Sequence, residues 1–138
     1  MGSNSIKVLG ASNHAKSKRE ENDFYATEPK ATILLMEKEK FNNVILEPAC
    51  GQGHMSEVLK SYNYNVLSSD LIDRGYGIQK DFFDYNKWAG DIITNPPYKI
   101  ALPFLKHALN IINTGSKVAL FLRLLFLEGI ELRRYRTW

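Results

Sequence analysis

Four consecutive residues, Asn95-Pro96-Pro97-Tyr98, carry the most chemistry in this chain. Asn95 brings a side-chain carbonyl oxygen, and Pro96 brings a backbone carbonyl. The two prolines fix φ and have no N–H, so the acceptors are held rigidly and no donor competes with a ligand's own N–H groups. A ring or amide nitrogen is a poor nucleophile because its lone pair is delocalised. Two acceptors that receive its N–H bonds draw it toward a tetrahedral shape and free the lone pair for in-line attack on a methyl group. Tyr98 adds a face on which a planar substrate can stack. The nitrogen attacks directly, so no protein nucleophile is needed, and a base inside a duplex must be flipped out to reach such a site. In isolation the same tetrad also reads as a rigid turn closing a strand.

Upstream lies Glu47-Pro48-Ala49-Cys50-Gly51-Gln52-Gly53, between an apolar run and a helical pattern. Glycines at such a junction let the backbone turn tightly and approach a ligand closely. Asp70 ends the next apolar segment, where an acid accepts both hydroxyls of a ribose. The dinucleotide fingerprint is incomplete, because Ser56 stands where its third glycine falls. Glu47 also repels a pyrophosphate but suits a ligand bearing a sulfonium and an amino group, such as S-adenosylmethionine. Asp81 is placed to accept from an adenine amino group, and Phe82 to cover the ring. For Asp81 alone a surface turn is the simpler reading, and for the glycine loop alone an ordinary strand-to-helix turn. Cys50 lies in the glycine loop and not beside a proline after the fourth strand, which argues against covalent attack on C5 of cytosine; a small buried residue is its expected role. His14, His54 and His107 show no metal-ligand spacing, so no metal site is expected.

These residues need a scaffold, and the pattern supplies one. Thr27-Glu28-Pro29 reads as a helix start with Thr27 as cap, followed by an apolar stripe of Ile33, Leu34, Met36 and Phe41. Val44-Ile45-Leu46 reads as a buried strand, and 54–61 as a helix with Met55, Val58 and Leu59 inward. Further strands are expected at 65–69, 77–80, 91–94 and 117–123, with helices at 102–112 and 128–134. Strands alternating with helices imply a parallel sheet. Residues 1–22 are polar and aperiodic and read as a flexible N-terminal arm, leaving 23–138 as one domain.

The whole chain sets looser bounds. With 138 residues, 44% hydrophobic and 24% charged, it reads as globular. No apolar run is long enough for a membrane span, and the polar start lacks a signal-peptide core. One cysteine permits no internal disulfide and fits a cytoplasmic location. The net charge of +3 permits nucleic-acid binding without requiring it. Basic clusters occur at Lys16-Ser17-Lys18-Arg19 and Arg133-Arg134-Tyr135-Arg136.

With these motifs in hand, residues 23–128 resemble the class I S-adenosylmethionine-dependent methyltransferases, and within them the phage-type N6-adenine DNA methyltransferases. The resemblance implies a Rossmann-like three-layer α/β sandwich with a mostly parallel sheet. It makes S-adenosyl-L-methionine the cofactor, DNA with a flipped adenine the partner, and N6 methylation the reaction. In that family Asn95, Pro96, Pro97 and Tyr98 match the catalytic tetrad, with Asn95 also beside the cofactor. Glu47, Pro48, Ala49, Gly51 and Gly53 match the first cofactor motif, Asp70 the ribose acid, and Asp81 and Phe82 the adenine motif. Tyr25 and Thr27 match an N-terminal cofactor motif usually written Phe-Tyr-x-Thr-Pro, although Glu28 here separates Thr27 from Pro29. The segment 123–129 is similar to one that follows the fifth strand in phage-type members. The family fold closes with two further strands, which the resemblance implies are missing here, along with a separate target-recognition domain. Related tetrads act on adenine or guanine in RNA, on cytosine N4 in DNA and on release-factor glutamine. Asn rather than Ser before the prolines, with the phage-like flanks, favours adenine in DNA. A decayed methyltransferase fold that only binds nucleic acid is the non-enzymatic alternative.

Overall fold

The computed structural model describes residues 26–122. The arm at 1–22, Tyr25, the helix expected at 128–134 and both basic clusters lie outside the described residues. Five strands form one sheet: β1 (Val44–Glu47), β2 (Asn65–Asp70), β3 (Ile78–Gln79), β4 (Asp91–Thr94) and β5 (Val118–Leu120). Their order is β3-β2-β1-β4-β5, and every pairing is parallel. Helix α1 (Pro29–Lys38) precedes β1, α2 (His54–Ser61) joins β1 to β2, and α3 (Ala101–Ile111) joins β4 to β5.

Alternation along the central strands builds three layers. On β1, Ile45 faces one side and Leu46 the other; on β4, Ile93 and Ile92 do the same. Ile45, Ile93 and Ala119 pack with Leu35 of α1 and with Met55 and Leu59 of α2. Leu46 and Ile92 pack on the opposite face with Phe104, Ala108 and Ile111 of α3, and with Phe82 and Tyr85. Both faces of β1 and β4 are covered, which is why their sequences read as continuous apolar runs and not as alternation.

Three expectations change. Thr27 does not cap α1; the N-cap is Glu28, without a side-chain cap bond, and Pro29 opens the helix because its missing N–H needs no partner there. The buried stripe of α1 is Thr32 and Leu35; of the expected residues Met36 and Phe41 pack against the cluster that holds Leu35, whereas Leu34 is 54% exposed. The apolar run of 33–36 hid the true phase, since four consecutive residues spread around more of the helix than the face that meets the sheet. In α2, Ser56 takes the buried position expected of Val58. Between β2 and β4, as the pattern at 65–94 indicates, no α-helix intervenes. Residues 71–77 join β2 to β3 as a loop, and a single 3-10 turn (Phe82–Asp84) lies between β3 and β4. The edge strand β3 is two exposed residues long.

Asp91 ties the start of β4 to its surroundings. It is 2% exposed. Its Oδ2 accepts from the backbone N–H of Asn42, and its Oδ1 accepts from that of Lys117 at 2.8 Å. The loops entering β1 and β5 are thus held by one carboxylate. Asp91→Ala leaves both donors without their acceptor, and denaturant unfolding is expected to register a loss of about 3 kcal/mol. A loss below about 1 kcal/mol would show that water replaces the carboxylate at little cost.

Candidate functional site

The strand order reverses between β1 and β4. Chain progress runs outward through β2 and β3 on one side, and through β4 and β5 on the other. In an open parallel sheet such a reversal opens a crevice at the carboxyl ends of the strands. Glu47 ends β1 and Thr94 ends β4, so the glycine loop and the Asn-Pro-Pro-Tyr tetrad leave the sheet on the two sides of this crevice.

Beneath it sits a buried polar knot. Glu47 is 1% exposed. Its Oε2 accepts from Thr94 Oγ1 at 2.8 Å, and its Oε1 from Ser56 Oγ at 3.2 Å. Ser56 Oγ also lies 2.7 Å from Ser68 Oγ. One carboxyl therefore links β1 to β4 and, through Ser56, to α2 and β2. Burial pushes the Glu47 carboxyl up to about 7; the Thr94 and Ser56 hydroxyls pull it back, and the charge of Asp70 adds to the rise. Ser56, at the place of the fingerprint's third glycine, meets Glu47 with its hydroxyl.

The glycine loop turns through left-handed backbone at Gly51 (φ 55°) and Gly53 (φ 92°). Gly53 donates to Cys50 O at 2.8 Å, and Cys50 donates to Ser69 O at 2.9 Å. Pro48 is fully buried and Ala49 packs on the α3 face of the core. A Cβ on Gly53 would lie 2.5 Å from the ring of Tyr76, so this glycine is required by space as well as by φ. Tyr76 was not legible as a neighbour of this loop; it donates to Glu57, receives from Lys60 at 3.0 Å, and accepts from Cys50 Sγ through its carbonyl at 3.5 Å. Cys50 is buried, and its thiol is pushed up to about 12 by that burial and by the nearby charges of Glu47 and Asp70. It stays protonated and inert, the small buried residue expected of it.

Asp70 stands at the carboxyl end of β2. Its Oδ2 accepts from Gly51 N at 2.8 Å and its Oδ1 from Ile72 N at 3.0 Å. These bonds orient the carboxylate against the glycine loop, and each oxygen keeps a second lone pair for a ligand. Leu71 and Ile72, which follow it in the chain, are 57% and 37% exposed.

Asp81 caps the 3-10 turn, its Oδ1 accepting from Phe83 N at 3.0 Å. Phe82 departs from expectation. It is 2% exposed, with its ring centroid 4.5 Å from that of Phe104 and 4.9 Å from that of His107. Its ring belongs to the core under α3 and is not placed to cover a ligand. The exposed aromatic of this pair is Phe83, at 39%.

The tetrad follows β4 directly. Asn95, Pro97 and Tyr98 are half-buried and Pro96 is buried. Tyr98 opens a 3-10 turn (Tyr98–Ile100) that runs into α3, with Ile100 donating to Pro97 O at 3.1 Å. Asn95 Nδ2 donates to Thr27 Oγ1 at 3.2 Å, across 68 residues of sequence. The hydroxyl expected to cap α1 thus reaches the tetrad instead. Among the described residues, no group of three or more His, Cys, Asp or Glu side chains could hold a metal ion, and no helix is long and apolar enough to cross a membrane.

No family model and no curated protein matches the sequence. Among solved structures, TrmN from Thermus thermophilus is similar, with a TM-score of 0.55 at 19% identity over 84% of this chain. The two share a Rossmann-like α/β fold built on a parallel sheet. The match covers 46% of TrmN, so the chain spans less than half of that protein's length. In this fold the crevice between β1 and β4 is framed by the glycine loop, Asp70 and the tetrad, while Asp81 follows the edge strand β3.

The raised carboxyl at its floor has a measurable consequence. Glu47 ionises near 4.5 in the unfolded chain and near 7 in the folded one. Its contribution to folding is complete below about pH 4.5, declines as the unfolded chain ionises, and is gone above about pH 7. Glu47→Gln removes this titration. The stability of the variant relative to the parent should therefore rise by about 3 kcal/mol between pH 4.5 and 7.5, on top of any constant offset. Denaturant melts across that range measure the gap, and a gap independent of pH would place the carboxyl's titration elsewhere.

Proposed function

We propose that this chain is an S-adenosylmethionine-dependent methyltransferase that transfers a methyl group to the exocyclic N6 of adenine in DNA. The observation that carries the reading is the convergence at one crevice. The glycine loop follows β1, the acid Asp70 ends β2, and Asn95-Pro96-Pro97-Tyr98 follows β4, on three neighbouring strands of a fold similar to that of TrmN.

In this reading Asp70 accepts the ribose hydroxyls of the cofactor, and Asp81 receives its adenine amino group. The left-handed backbone at Gly51 and Gly53 lets the methionine end approach closely. The cofactor supplies an electrophilic methyl group. Asn95 Oδ1 and the Pro96 carbonyl accept the two N–H bonds of the target amino group, and Tyr98 stacks on the flipped base. The buried Cys50, whose thiol is held protonated by that burial, agrees with a transfer that uses no thiol nucleophile; the target nitrogen would take the methyl group directly from the bound cofactor, and its surplus proton would pass to solvent.

Adenine in DNA is preferred over the related nitrogens on the sequence features alone: Asn before the prolines and phage-like flanks. The test is calorimetric binding of S-adenosylmethionine, followed by transfer of labelled methyl to DNA, RNA and release factor in parallel. Transfer to RNA or protein alone would keep the enzyme class and replace the substrate. Salt-sensitive DNA binding without cofactor binding would point to a nucleic-acid-binding module.

Two substitutions separate the roles. Asn95→Ala should lower methyl transfer by about two to three orders of magnitude while leaving most cofactor affinity. Asp70→Ala should weaken cofactor binding by about 10- to 100-fold, as expected for the loss of charge-assisted hydrogen bonds. Equal loss of binding and transfer in Asn95→Ala, or unchanged affinity in Asp70→Ala, would remove those assignments.

A further inference from the structure

An asparagine amide has two ends of opposite hydrogen-bonding character, and only one of them suits the role given to Asn95. Its oxygen accepts; its nitrogen carries two donors. Facing a substrate amino group, the oxygen makes a bond, whereas the NH2 end sets donor against donor. Rotation by a half-turn about the last side-chain bond exchanges the two at little intrinsic cost. Something must therefore hold the amide the right way round.

Among the described residues, Thr27 faces this amide. Asn95 Nδ2 donates to Thr27 Oγ1 at 3.2 Å, which turns Oδ1 away from Thr27. Thr27 is brought there by α1, whose Leu35 is anchored in the same cluster as Ile45, Met55 and Ile93. The N-cap of α1 is Glu28, so the hydroxyl of Thr27 is not engaged as the helix cap its sequence context suggested. We propose that Thr27 is a positioning residue for the tetrad: its hydroxyl holds the Asn95 amide nitrogen and so presents the amide oxygen to the target amino group. This rests on the reading of Asn95 as the acceptor in methyl transfer, and it departs from the assignment of Thr27 as a cofactor ligand.

The test compares Thr27→Val, which keeps the shape and removes the hydroxyl, with Thr27→Ser, which keeps the hydroxyl. Both are made in the full chain. Three quantities are measured: S-adenosylmethionine affinity by calorimetry, kcat on unmethylated DNA with transfer RNA alongside, and the side-chain amide resonances of Asn95 by nitrogen-edited NMR. Thr27→Val should leave cofactor affinity within about twofold and lower kcat by about tenfold or more. It should also shift the Asn95 amide pair, and Thr27→Ser should restore both kcat and the resonances. A loss of affinity with kcat at saturating cofactor preserved would overturn the proposal in favour of a cofactor contact. So would a Thr27→Val variant that matches the parent in kcat, or a serine that fails to rescue. If the parent transfers no methyl group to either nucleic acid, the reading of the tetrad fails on its own account. The Asn95 resonances then still decide the hydrogen bond: unmoved in Thr27→Val, they overturn it.

Discussion

A carboxyl group with no exposure to water ordinarily has to be matched by hydrogen-bond donors or kept neutral, and Glu47 does both. Thr94 and Ser56 meet its two oxygens, and burial raises it to about 7. The geometry of the candidate site follows from that knot. β1 and β4 are the strands between which the crevice opens, and the Glu47–Thr94 bond joins them at the last residue of each. The glycine loop and the tetrad therefore start from a common fixed point. Ser56 extends the same knot to α2, and Ser68 to β2, the strand that delivers Asp70.

Around that point the two faces of the sheet have different duties. The α1–α2 face sets the N-terminal side of the site: it positions Thr27 and the helix that follows the glycine loop. The α3 face sets the other side, where the tetrad continues into α3 and where Phe82 anchors the turn that carries Asp81. Residues distant in sequence meet because the core alternates strictly along β1 and β4. A slip of one residue in either strand would exchange these two sets of neighbours.

Much of this was legible in the sequence. The tetrad, the glycine loop and the acid of β2 could be placed at strand ends because each follows a short apolar run that stops abruptly at Pro, Gly or Asp. β4 could be read from Asp91 to Thr94, since the apolar pair Ile92-Ile93 is halted soon after by two prolines. What was not legible depends on tertiary context. The phase of α1 was hidden because Ile33-Leu34-Leu35-Met36 are all apolar, so propensity cannot tell which of them faces the sheet. Phe82 and Phe83 are the same residue type side by side, and only the packing of α3 decides that the first is core and the second exposed. Ser56 read as a missing glycine, and its bond to Glu47 is visible only in the fold. Thr27 had the local signature of a cap, and a partner 68 residues away took its hydroxyl.

The uneven cover of the sheet has a consequence for motion. β1 and β4 are packed on both faces, whereas β3 is two exposed residues long and follows a loop with two left-handed glycines, Gly75 and Gly77. Local opening is cheapest where few apolar contacts are lost. Amide exchange should therefore be graded across the strands, fastest at the β2–β3 edge and slowest at the β1–β4 pair. By the same argument the end of the crevice next to Asp70 and Asp81 should open more readily than the end that holds Asn95. A molecule entering the crevice would then shape the first end around itself and would have to conform to the second.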